Sequence, residues 1–77
     1  MSARLPVISG KDVIKALGRS GFRVIRQKGS HVRLEKIQDD KIIKLTVPLH
    51  KELKKGTLNR IVDDAGLTVE DFVNLLR

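Results

Sequence analysis

The chain has 77 residues, with 16 Lys/Arg against 9 Asp/Glu for a net charge of +7, two Phe as its only aromatic residues, and no Cys. That length leaves room for one domain, residues 1–77, whose modest core buries only about 60% of the surface the unfolded chain exposes. The missing cysteines exclude disulfides, a thiolate metal site and a cysteine nucleophile.

Residues 1–8, with Pro6, read as an extended lead-in. Ser9-Gly10-Lys11-Asp12 then has the Ser-x-x-Asp form of a helix start, with Ser9 as N-cap. Val13, Ile14, Ala16 and Leu17 supply the apolar face of this first helix, and Gly21 its stop. From Phe22 the pattern changes to short β-branched runs over residues 22–28, 31–37 and 42–47, which predict three strands. Gly29-Ser30 suits a two-residue hairpin with Gly first, and Asp39-Asp40 a second tight turn. These turns set Lys28 opposite His31, Arg26 opposite Arg33, Ile25 opposite Leu34, Leu34 opposite Leu45, Glu35 opposite Lys44 and Pro48 opposite His31.

Alternation places Ile25, Val32, Leu34, Ile43, Leu45 and Val47 on one sheet face. The other face carries Arg26, Lys28, His31, Arg33, Glu35, Lys44 and Thr46. Pro48 ends the third strand. Thr57 then offers an N-cap for a second helix over residues 57–65, with Leu58, Ile61, Val62 and Ala65 at helical spacing and Gly66 as its stop. Thr68-Val69-Glu70-Asp71 repeats the capping pattern and starts a third, short helix carrying Val69, Phe72, Val73, Leu75 and Leu76. Helix, three antiparallel strands and helix, with a short helix appended, is a two-layer α+β domain.

Charge is segregated along the chain. Residues 1–56 carry 14 Lys/Arg and 5 Asp/Glu, whereas residues 57–77 carry 2 and 4. A cationic surface of this kind keeps a small protein soluble, and it also binds nucleic acid by releasing counterions from the phosphate backbone. Opposed Arg26 and Arg33 repel each other by up to about 1 kcal/mol, a cost recovered when an anion lies over the pair. The element order is that of double-stranded RNA-binding domains, which contact phosphates and 2′-hydroxyls rather than stacked bases. Lys54 and Lys55, ahead of Thr57, add a second anion site at a helix start. Both Phe residues fall at core positions, which argues against a base-stacking platform. The basic residues are not gathered on one amphipathic helix, no apolar run reaches the roughly 18 residues of a membrane span, and residues 1–10 lack the apolar core of a signal peptide. A cytoplasmic protein with no membrane partner is expected.

Three motifs, in order, carry a more specific likeness. Gly29-Ser30-His31 after a basic strand, the run from Val47-Pro48-Leu49-His50-Lys51-Glu52 through Leu53-Lys54-Lys55-Gly56-Thr57-Leu58, and Ala65-Gly66-Leu67-Thr68-Val69-Glu70-Asp71-Phe72 together resemble the HicA (YcfA-like) toxins. The resemblance spans nearly the whole chain. It implies a small mRNA interferase with a fold similar to the double-stranded RNA-binding domain, neutralised by a HicB antitoxin from the same operon. It also implies that His31, the histidine of the Gly-Ser-His motif, is catalytic. Many members carry a second histidine or an aromatic residue just after that motif, where this chain has Val32-Arg33-Leu34-Glu35-Lys36.

The chemistry can be followed from the residues as well. RNA cleavage without a metal needs a group to take the 2′-hydroxyl proton, one to protonate the leaving oxygen, and cations for the phosphorane charge. Histidine suits the first two needs, so His31 beside Lys28 and Arg33 is expected to act as general base or acid, and His50, two residues beyond Pro48, is a candidate partner acid or a loop histidine that contacts phosphate or caps the loop. Arg26, Lys28, Ser30, Arg33, Lys44, Lys54 and Lys55 are the expected phosphate ligands. No cofactor and no metal are expected, because Asp39-Asp40 falls at a turn tip and Asp63-Asp64 on a helix, so the two acidic pairs do not converge. Two other readings use the same sequence: a non-catalytic RNA-binding module on the same basic face, and a DNA-binding helix-turn-helix from the last two helices. The second is opposed by Glu70 and Asp71 at the end that would enter the groove.

Overall fold

The computed structural model describes residues 4–77. The first three residues of the expected lead-in lie outside this range, and residues 4–9 form neither helix nor strand. The elements follow as α1 (Gly10–Arg19), β1 (Arg23–Lys28), β2 (His31–Gln38), β3 (Lys41–Pro48), α2 (Lys55–Asp64) and α3 (Val69–Leu75). The sheet is antiparallel in the order β1-β2-β3. The α+β architecture is the expected one.

Local chemistry accounts for most element ends. Ser9 caps α1, its hydroxyl accepting from the Asp12 N–H at 3.1 Å, and Gly21 takes φ +106° beyond the last turn. Thr68 and Asp71 form a reciprocal capping box at α3, with bonds of 3.0 and 3.2 Å. The far end of α3 is held from outside, because the Arg19 guanidinium donates to the main-chain oxygens of Leu75 and Arg77 at 2.5 and 3.1 Å.

Helix α2 departs from expectation. Its N-cap is Lys54 rather than Thr57, with no side-chain capping bond, and Thr57 lies inside the first turn. The physical cause lies just upstream. The Leu53 side chain is buried and its N–H donates to the Ile8 carbonyl at 2.9 Å, so the chain is anchored there and turns into helix at once.

β2 and β3 pair without interruption from His31 opposite Pro48 to Gln38 opposite Lys41, so Pro48 is the last residue of the strand. As the end residue of an outer strand it loses no ladder bond. β1 pairs as expected from Lys28–His31 to Arg26–Arg33, but a β-bulge then places Val24, not Ile25, opposite Leu34. Ile25 is 44% exposed and is not a core residue. The helices pack against β3, and no residue of β1 is buried. With no layer over this edge, nothing obliges β1 to keep strict alternation, and the bulge twists an otherwise open edge.

The core lies between the helices and the inward side of β2 and β3. Val13, Leu17, Leu34, Val47, Leu58, Val62 and Phe72 are fully enclosed, each worth about 1.5–3 kcal/mol of transfer free energy. Ile43 packs at its margin, half-buried. Phe22 is also buried, with the Lys36 ammonium 5.7 Å from its ring centre. Among the described residues no helix is long and apolar enough to cross a membrane.

Candidate functional site

The β1–β2 turn is built around a backbone requirement. Gly29 has φ +59°, whereas Ser30 stays outside the left-handed region, the pattern of a two-residue hairpin with Gly at its first position. Gln27 Nε2 donates to the Gly29 carbonyl at 3.0 Å, and the Leu49 N–H donates to the Ser30 carbonyl at 2.7 Å. The turn is therefore tied to the chain leaving β3. His31 emerges directly from it, paired with Lys28 on one side and Pro48 on the other.

The open face of the sheet is ordered in rows across the strands. Lys28, His31 and Pro48 form the first, Arg26, Arg33 and Thr46 the second, Arg23, Glu35 and Lys44 the third, and Ile37 with Ile42 the last. Arg26, Lys28, His31, Arg33 and Thr46 line one shallow depression of about 270 Å³. Three cations and one imidazole thus share a site with no carboxylate in its wall. Among the described residues the one ion pair is Arg60–Asp64, 4.0 Å apart on exposed α2, so neither Arg26 nor Arg33 is neutralised by the protein. The Arg26–Arg33 opposition, next to the β1 bulge, sets two like charges side by side, an electrostatic cost that a bound anion would relieve.

The remaining sequence-derived candidates lie outside the depression. Ser30 sits in the turn beside it, exposed, and Lys44 is one row further along the same face. His50 is exposed, and its carbonyl accepts from the Gly10 N–H at 2.9 Å; its side chain does not line the depression. Lys54 and Lys55 stand at the start of α2, and Lys55 lines a different depression with Arg4, Leu5, Asn59 and Val69. Asp39-Asp40 occupies the β2–β3 turn and Asp63-Asp64 the end of α2. Among the described residues no three His, Asp or Glu side chains gather as metal ligands would.

Two features of the site are not among the sequence-derived candidates. Thr46 belongs to the wall of the depression, a place its alternation with Arg33 does imply. The Leu49 bond to the turn is the next rung of the β2–β3 register beyond the His31–Pro48 pair, so that expected pairing implies it.

A family model for the HicA toxin of bacterial toxin-antitoxin systems matches residues 10–67. The chain belongs to that family. No curated protein matches the sequence. The matched segment of this HicA-family toxin runs from the first residue of α1 to Leu67 just beyond α2, so it contains the entire sheet and the cationic depression. Membership also makes the chain the toxin component of a toxin-antitoxin pair, with an antitoxin as its partner.

Proposed function

We propose that this toxin is a metal-independent endoribonuclease that binds and cleaves mRNA in the cytoplasm at the depression around His31. The observation that carries this reading is one imidazole lining a shallow depression together with Arg26, Lys28 and Arg33, with no carboxylate among them. An imidazole is the side chain best suited to take and return a proton near neutral pH. In the reaction, the 2′-hydroxyl oxygen attacks the adjacent phosphorus while its proton passes to His31. The bond from phosphorus to the 5′-oxygen breaks, and that oxygen takes a proton from the imidazolium. The products are a 2′,3′-cyclic phosphate and a 5′-hydroxyl.

Arg26, Lys28 and Arg33 stabilise the negative charge that grows on the phosphorane oxygens, an effect worth about 10²–10³ in rate per well-placed donor. The Ser30 hydroxyl, beside the depression, serves as a further phosphate donor. Lys44, Lys54 and Lys55 bind flanking phosphates along the strand, which contributes affinity but no chemistry. His50 lies outside the depression; as a partner acid its removal would slow leaving-group departure, and as a phosphate contact it would weaken binding alone. A HicB-like antitoxin silences the site by laying an acidic segment over His31, because carboxylates compete directly with phosphates for the same cations.

The test is incubation of a structured mRNA with purified toxin in excess EDTA, comparing wild type, His31→Ala and His50→Ala and mapping product ends. Wild type should cut and leave cyclic phosphate ends, and His31→Ala should lose at least about 10²-fold in rate. His50→Ala should stay within about tenfold of wild type. If wild type and His31→Ala bind RNA with equal salt dependence and neither cuts it, the chain is a non-catalytic RNA-binding module on the same face.

A further inference from the structure

The last row of the open face has no use in the nuclease reading. Ile37 and Ile42 pair across β2 and β3 on the same side of the sheet as His31, and they are 71% and 56% exposed. A strand rises about 3.3 Å per residue, so the six residues from His31 to Ile37 separate the two ends of the face by roughly 20 Å. One end is cationic and the other apolar. Between them Glu35 lies flanked by Arg23 and Lys44.

We propose that the Ile37–Ile42 pair is the apolar anchor for the antitoxin, while RNA occupies the cationic end. This rests on the reading that the antitoxin covers the open face. Three considerations select that occupant. Recognition of RNA by phosphate and 2′-hydroxyl contacts gains nothing from two isoleucines. A second copy of this chain laid fully face to face would set the Arg26, Lys28 and Arg33 rows either against their own kind or, turned end for end, against the isoleucines, and both arrangements disfavour self-association. A protein partner with carboxylates over those rows and apolar side chains beyond them matches the face along its whole length. Protein interfaces combine an apolar patch depleted of charge with a polar, charged surround, the pairing this face offers.

The anchor predicts a separation of function. Ile37→Thr/Ile42→Thr keeps β-branched residues in the strands and removes the apolar contact. Affinity for the HicB-like antitoxin from the same operon is measured by calorimetry. RNA affinity is measured in a His31→Ala background, so that binding is read without cleavage. The antitoxin Kd should rise by about tenfold or more while the RNA Kd stays within about twofold. An unchanged antitoxin Kd overturns the proposal. An equal loss of RNA affinity overturns it too, by making the pair part of the RNA surface. So does a wild-type dimer that the double variant converts to monomer, since the pair would then join two toxins. If the double variant does not fold, Ile37→Thr alone at the more exposed position must show a smaller loss in the same direction. The calorimetric result stands whether or not the wild-type toxin cuts RNA, so failure of the nuclease reading leaves this test intact.

Discussion

Replacing Gly10 by alanine should damage the fold at the point where it supports the site. Gly10 is buried as the first residue of α1, and its N–H donates to the His50 carbonyl at 2.9 Å. An added Cβ would collide with the Pro48 carbonyl oxygen and approach the Pro48 carbonyl carbon at 2.9 Å and Leu49 Cα at 3.2 Å. All three are backbone atoms, so no side chain can rotate away, and either α1 or the end of β3 must move. Overpacking of this kind costs about 1–3 kcal/mol. Weakening the Gly10–His50 bond adds about 1 kcal/mol, partly offset by the better helix propensity of alanine. The sum is a loss of about 2–3 kcal/mol, or roughly 10–20 °C in Tm for a chain this small. Gly18→Ala is the control, because nothing lies within 4 Å of its added Cβ and the residue is exposed in the same helix. It should gain about 0.5 kcal/mol, a few degrees. Thermal unfolding followed by circular dichroism measures both. A Gly10→Ala Tm within about 2 °C of wild type would refute the close-packing argument. Equal destabilisation by Gly18→Ala would refute its assignment to Pro48.

The opposed arginines and the second turn give two further tests. Arg33→Gln removes one of two facing like charges, so it should raise stability by a few tenths to about 1 kcal/mol while weakening RNA binding. Its log Kd against log salt should flatten by about 0.7 on single-stranded RNA, and an unchanged slope would mean that Arg33 meets no phosphate. Asp39 has φ +56° in a turn without glycine, so Asp39→Gly should raise Tm by a few degrees, from relief of about 0.5–1 kcal/mol. A lower Tm would show that the Asp39 side chain contributes more to the turn than its backbone strain costs.

What could be read from the residues depended on whether the information was local. The Gly29-Ser30 turn fixes the pairing of Lys28 with His31 and Arg26 with Arg33, so the cationic wall followed from alternation alone. The caps at Ser9 and Thr68 are side-chain devices and were equally legible. Ile25 was not, because a bulge depends on whether anything covers the strand, and β1 is left bare by the helix layer. The start of α2 was not, because it is set by the Leu53–Ile8 main-chain bond and not by a capping side chain. Lys54 and Lys55 read as neighbours of a helix start, but their place relative to the sheet depends on how α2 packs. Lys55 proves to line a depression on other elements.

The same distinction explains how His31 is held at an exposed turn. Three main-chain bonds staple the segment after β3: Leu49 to the Ser30 carbonyl, His50 accepting from Gly10, and Leu53 to the Ile8 carbonyl. They fasten the hairpin turn, the start of α1 and the lead-in to one short stretch. They fix the backbone from which the His31 side chain projects, with Lys28 paired on one side through the turn and Pro48 on the other through the staple. A depression walled by long cationic side chains is adaptable at its rim, whereas a site for proton transfer requires one group whose position does not vary. In the proposed reaction His31 is that group: the stapled turn fixes its backbone at the first residue of the central strand, and contacts with the bound RNA set its side-chain rotamer.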